Sequence, residues 1–210
     1  MNYPKRISLV LIVAVLSVPF LVAHAAGGRI EGKITDPKGA AIANATVTVT
    51  NQVTNQDFQK FTAEWQIPSG QENFPVMGVT WEQADAYCKS LNKRLPSEVE
   101  WEASGRGSGE NPPLYPWGPD SAPQGNLPNN PYEVGTQSVN RSPFDVYDMI
   151  GNVYEWVAEP YYASVEAGKR LLRGVRASVP EDLTFRVQVT PENTNYTQYA
   201  SFRCAASDVR

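Results

Sequence analysis

Ala84, Tyr87, Cys88 and Leu91 recur at three- and four-residue spacing, and Thr80 with Gln83 forms a capping box ahead of them. The pattern predicts a helix from about Trp81 to Asn92. Ser97, followed three residues on by Glu100, caps a second helix that runs to about Ser104 and turns Trp101 inward. Upstream, Ala45-Thr46-Val47-Thr48-Val49 alternates with period two and reads as a strand, and Asp36-Pro37-Lys38-Gly39 marks a turn between two β-prone stretches. Residues 170–210 alternate short β-prone pieces with turns and end in a strand at Ala200–Ala205. Between Gly105 and Arg141 glycine, proline and asparagine dominate without a sustained period, so this stretch reads as loop. An α+β chain with much irregular structure is expected.

The N-terminus is patterned differently. Ile7 to Ala23 is an apolar run behind Lys5 and Arg6, and Ala23-His24-Ala25 is a small-x-small cleavage motif. Residues 1–26 therefore read as a secretory signal peptide rather than a membrane anchor. No later apolar run is long enough to span a bilayer, and no cysteine near the cleavage point invites a lipid anchor. Removing the signal takes away two basic and no acidic residues, which moves the formal net charge from −4 to −6. Nucleic acid and anionic membranes attract basic patches, so neither is an expected partner. The reading is an exported bacterial protein, periplasmic or secreted, and its 210 residues suit one domain plus a short extension.

Two further residue types narrow the chemistry. Cys88 and Cys204 are the two cysteines, and an even count in an oxidising compartment favours a disulfide, with two free thiols as the alternative. The single histidine, His24, lies inside the signal, so the mature chain has none. That excludes Ser-His-Asp and Cys-His nucleophilic arrangements and histidine-ligated iron.

Four blocks occur in order along the chain: RLPSEVEWEASGR at Arg94–Arg106, YPWG at Tyr115–Gly118, YDMIGNVYEW at Tyr147–Trp156 and FRCA at Phe202–Ala205. Together they resemble the formylglycine-generating-enzyme family, the sulfatase-modifying-factor domains, over about Val53 to Ala206. The resemblance implies a C-type-lectin-like fold. Residues 51–60 are similar to the family's approach to its first helix, with Phe58 and Phe61 on one face. Residues 29–50 instead resemble the opening of a carboxypeptidase-regulatory-like β-sandwich, though too short for the whole of one. They are either a truncated module or two strands docked on the main domain. The expected organisation is a signal at 1–26, a short β-rich segment at 27–50 and a sulfatase-modifying-factor-like domain at 51–210.

The resemblance also implies site residues. Cys88 and Cys204 match a structural disulfide of the family. Asp148, Gly151, Val153 and Glu155 match a calcium loop, which offers about four of the six to eight oxygens that Ca²⁺ wants. A second family calcium site, near Asn126 and Leu127, lacks an evident acidic partner. Trp101, Trp117, Trp156 and Tyr115 are expected as core and loop anchors. The family's catalytic copper sits on two cysteines that fall here at about Val179 and Thr184, and neither residue supplies the thiolate that holds Cu(I). Copper is therefore not expected. The related iron-dependent sulfoxide synthases use histidines that this chain lacks. Val175, Ser201 and Asp145 also depart from the family blocks. Asn140-Arg-Ser142 and Asn195-Tyr-Thr197 match glycosylation acceptors that mean nothing in a bacterial protein.

Three functions follow. The foremost is a non-catalytic binding or structural module whose C-terminal loops, Val175–Thr184 and Val187–Ser201, meet a protein or a small ligand. The alternatives are a formylglycine-generating, cysteine-oxidising oxidoreductase and a retroelement-diversified variable binding protein.

Overall fold

The computed structural model describes residues 28–31, 34–35, 41–42, 45–107, 111–118, 127–128, 130–158, 169–174, 186–190 and 192–209. The expected signal peptide, the 36–39 turn, Asn126 and the 175–184 loop lie outside the described residues.

Both capping boxes form. Thr80 accepts from Gln83 N–H while Gln83 reaches back to Thr80 N–H, and helix α2 runs Trp81–Ser90. It stops two residues short of Asn92 because Asn92 adopts φ 55°, outside the helical region. Ser97 and Glu100 cap α3, Glu98–Arg106, which continues two residues past Ser104 until Gly107 turns away at φ 85°. Before them lies α1, Asn55–Phe61, capped by Thr54. Phe58 is fully buried and Phe61 is 40% exposed at its flank. The 105–141 loop holds one regular element among its described residues beyond α3, a 3-10 turn at Ser138–Asn140.

A six-stranded sheet organises the chain. Its strands are β1 (Gly28–Glu31), β4 (Ala45–Gln52), β5 (Tyr154–Trp156), β6 (Arg170–Arg173), β7 (Arg186–Val189) and β8 (Ala200–Val209). Their spatial order is β1-β4-β8-β5-β6-β7. β2 (Ile34–Thr35) and β3 (Ala41–Ile42) form a separate two-stranded ladder, and α4 (Thr194–Thr197) precedes β8. β8 is four residues longer than its alternation predicted, and β5 lies inside the YDMIGNVYEW block, where no strand was expected. The N-terminal strands belong to this sheet: β4 pairs antiparallel with β8 from Ala45↔Val209 to Gln52↔Arg203. β5 pairs parallel with β8, which sets Glu155 opposite Ser201 and Trp156 opposite Phe202.

Strand alternation then sorts β8 onto two faces. Ala200, Phe202 and Cys204 join Tyr154, Trp156, Phe58 and Tyr87 in one core under α1 and α2. Its aromatic rings meet edge-on, Phe58–Trp65 at 5.1 Å and Tyr87–Phe202 at 5.3 Å between centroids. Trp101, Met149, Ile150 and Leu171 form a second core, and Val47, Val49 and Ala205 a third.

Cys88 on α2 and Cys204 on β8 form the disulfide, 116 residues apart in sequence with Cα atoms 5.6 Å apart. A closed loop of that length restricts the unfolded chain by up to about 4–5 kcal/mol in the chain-entropy picture. Exchanging both cysteines for alanine is expected to lower the unfolding free energy by about 3–5 kcal/mol, read from denaturant unfolding. An unchanged midpoint would mean the bridge adds no stability.

Candidate functional site

Alternation places Glu155 and Arg203 on the same side of adjacent strands, opposite the aromatic core, and both are fully buried. Arg203 grips Glu155 with two parallel bonds, Nε to Oε2 and Nη2 to Oε1, each 2.6 Å. Trp101 Nε1 donates to Oε2 at 2.7 Å and Gln52 Nε2 to Oε1 at 2.8 Å. Arg203 also donates to Thr50 O and Tyr147 O, both at 3.1 Å. Gln52 reaches this point because a bulge between Val49 and Gln52 shifts the β4–β8 register. Its carbonyl oxygen accepts from Asn152, whose own oxygen accepts from Tyr132 N–H.

The 148–155 loop bends through left-handed residues: Asp148 at φ 61°, Gly151 at 79° and Asn152 at 62°. Asp and Asn tolerate that region better than other side chains, and Asp145 adopts it too, at φ 62°. Asp148 Oδ2 accepts Gly135 N–H at 2.7 Å, while its buried Oδ1 has no partner. Burial pushes the Asp148 carboxyl up to about 6, against the opposing pull of Gly135 N–H and Arg203. Asn140, behind the loop, donates to Ile150 O and Tyr132 Oη. Its burial closes that glycosylation match to any enzyme.

A second ionic run flanks the first. Arg173 donates to Glu98 at 3.0 Å and Glu102 at 2.6 Å, with its guanidinium 5.2 Å from the Trp101 ring centre. Glu102 in turn binds Arg106. Gly174, at φ 74°, sits in a backbone conformation that strains any residue with a side chain, although an added Cβ would only touch the Trp101 ring and Val153 O, each at 3.4 Å. Arg94 forms a two-pronged pair with Glu100, at 2.6 and 2.7 Å, and reaches Ser207 on β8. The Arg94–Arg106 block thus works as a set of anchors. Trp101 is fully buried, Trp156 nearly so, and Tyr115 stacks on Trp117 at 5.3 Å beside the second core.

The expected calcium residues, Asp148, Gly151, Val153 and Glu155, all share this stretch of chain. A carboxylate has about four lone-pair sites, and in Glu155 all four are filled by Gln52, Trp101 and Arg203. Asp148 Oδ1 remains as an unpartnered side-chain oxygen, along with the Gly151 and Val153 backbone carbonyls of the expected set. Among the described residues, no group of three or more His, Cys, Asp or Glu is placed to hold a metal. The Gln52, Asn152 and Arg203 contacts were not legible in the sequence, where β4 seemed to stop at Val49 and the arginine of FRCA carried no partner.

Comparison with known proteins now places the chain. A family profile described as "Sulfatase-modifying factor enzyme 1-like domain" matches residues 31–207, from within β1 to within β8. The chain belongs to that family. The "Inactive C-alpha-formylglycine-generating enzyme 2" of Bos taurus is 36% identical over 171 residues, covering 69% of this chain and 56% of the relative. The "Formylglycine-generating enzyme" of Mus musculus is 31% identical over 183 residues, covering 69% and 49%. The chain spans about half the length of these curated relatives. Among solved structures, "Treponema denticola variable protein 1" superposes with a TM-score of 0.56 at 18% identity over 86% of this chain and 93% of that one. CarF gives 0.57 at 19% identity over 86% and 97%. At that identity the likeness concerns the fold alone, which is C-type-lectin-like. Three of the four blocks supply charged groups to the buried ionic runs: Glu98 and Glu102 from the first, Glu155 from the third and Arg203 from the last.

Two measurements probe the loop. Glu155→Gln leaves Arg203 buried without its counter-ion and is expected to cost about 3–5 kcal/mol of stability. Calcium or EDTA should leave the wild-type melting temperature unchanged, whereas a rise with calcium that Asp148→Asn abolishes would show a real ion site. The pH dependence has a definite sign. The folded Asp148 value of about 6 exceeds the ordinary 3.8, so the stability its protonation supports is full below pH ~4 and lost as pH rises through ~6. Asp148→Asn, neutral at every pH, is expected to gain stability over wild type at pH 8 and to lose that advantage near pH 4, as measured by thermal melts.

Proposed function

We propose that this chain is an exported, non-catalytic member of the sulfatase-modifying-factor family that acts by binding through its C-terminal loops. The observation that carries the reading is that both cysteines of the sequence are consumed in the Cys88–Cys204 disulfide. Copper-dependent oxidation of a substrate cysteine needs two thiolates to hold Cu(I), and Val179 and Thr184 at the matching positions bring an alkyl group and a hydroxyl. No histidine follows His24 to serve in their place. The relatives whose names mark them as inactive fit the same reading.

Export is supported by the residue 1–26 pattern and by the disulfide, which persists in oxidising compartments. No helix among the described residues is long and apolar enough to cross a membrane. The ionic core is taken as metal-independent, with Glu155 serving Arg203. A retroelement-diversified binding protein is the second reading, favoured by the fold shared with the Treponema denticola variable protein.

Incubating the purified protein with Cu(I), O₂, a reductant and a CxPxR-type peptide is expected to yield no aldehyde above background by hydrazide trapping. Aldehyde formation would overturn the non-catalytic reading. Its dependence on Cys88 or Cys204 would further mean that these residues act as thiolates.

A further inference from the structure

A cavity of about 580 Å³ opens where the start of α2, the β5–β7 face and α4 meet. That volume lies within the range of small-molecule sites. Its apolar side is the outer surface of the aromatic core: Val79, Trp156 and Val189 belong to that core, and Trp81 packs against it. Both indole N–H groups are already used inside the protein: Trp81 Nε1 donates to Val157 O and Trp156 Nε1 to Val79 O, each at 2.8 Å. The rings are therefore fixed in orientation and offer hydrocarbon rather than hydrogen bonds. An occupant with an apolar body extends the core outward, and its affinity comes from taking both surfaces out of water.

The charges of the described lining are already engaged. The Arg170 guanidinium lies 4.0 Å from the centre of the Trp81 ring and 3.5 Å from the Glu82 carboxylate, and Lys169 has an interaction of its own. What the end of α4 adds is polar but neutral: the hydroxyls of Thr194 and Thr197 and the amide of Gln198. Thr197 Oγ1 donates to Asn193 O at 3.1 Å, which leaves its lone pairs to accept. A charged ligand entering this lining gives up its hydration without meeting a described counter-ion that is free, a cost that a neutral ligand avoids.

We propose that this cavity binds an uncharged small molecule with an apolar, ring-sized body and one neutral hydrogen-bonding group, the ring against Trp81, Trp156 and Val189 and the polar group toward Thr197 and Gln198. The inference rests on the reading of the chain as a binding module and names the ligand class of one part of its C-terminal surface.

Four probes of graded chemistry test it on the full mature chain, followed by NMR and tryptophan fluorescence. 4-Phenylbutanamide carries the ring and a neutral polar group, 4-phenylbutyrate and 4-phenylbutylamine put a negative or a positive charge in its place, and butanamide lacks the ring. Phenylbutanamide is expected to bind saturably and at least about fivefold more tightly than each of the other three. Its affinity should not fall when salt is raised from about 0.05 to about 0.5 M, since no ion pair holds it. Its ring protons should show intermolecular NOEs to the indole protons of Trp81 and Trp156, a reading that needs no variant. Thr194→Trp, an exposed position on the cavity lining, should weaken binding at least about tenfold while circular dichroism stays that of the wild type. Binding of the acid or the amine as tight as that of the amide, no saturable binding of phenylbutanamide, NOEs to other tryptophans only, or unchanged binding in folded Thr194→Trp would overturn the proposal. None of these outcomes produces aldehyde, so the cavity proposal can fail while the non-catalytic reading stands.

Discussion

The buried pair of Arg203 and Glu155 is the constraint on which the rest of the structure depends. Neither charge can lie inside the protein without compensation, since an unpaired buried ion costs several kcal/mol. Compensation here needs five segments at once. β8 supplies the guanidinium and β5 the carboxylate, while β4 supplies Thr50 O and Gln52, the 147 loop supplies Tyr147 O and α3 supplies the Trp101 indole. Any arrangement that leaves one of them out strands a charge or a donor. The pair thereby favours the native crossing of these segments over looser packings that would bury the same apolar area.

That dependence explains why the recognisable blocks survive in a chain with no thiol left for copper. Glu98, Trp101 and Glu102 face inward from α3 and meet Arg173, Glu155 and Arg106. Gly174 is favoured by its left-handed backbone at φ 74°. Losing one of these groups threatens the fold. Likeness in the blocks therefore transmits architecture, and chemistry has to be judged at the positions that perform it.

The two faces of β8 divide the labour further. Phe202 and Cys204 point toward α1 and α2, where the disulfide and edge-on aromatic rings fasten helix to sheet. Arg203 points the other way into the ionic core. The open cavity lies apart from that core, across β5 where Trp156 rather than Glu155 is presented, so its walls can change without disturbing the buried charges.

Local patterns in the sequence determined both capped helices, the strand at residue 45 and the terminal strand, because capping boxes and period-two alternation act within a few residues. The four blocks determined the family, the fold class and the Cys88–Cys204 pairing. Tertiary structure decided the rest. The β4 bulge that brings Gln52 to Glu155, the joining of β4 to β8, and the filling of every lone pair on Glu155 all involve residues 48 or more positions apart. A carboxylate in this block looks the same in sequence whether it faces solvent or an arginine from a distant strand. Only the folded chain, by setting Arg203 beside it, decides between them.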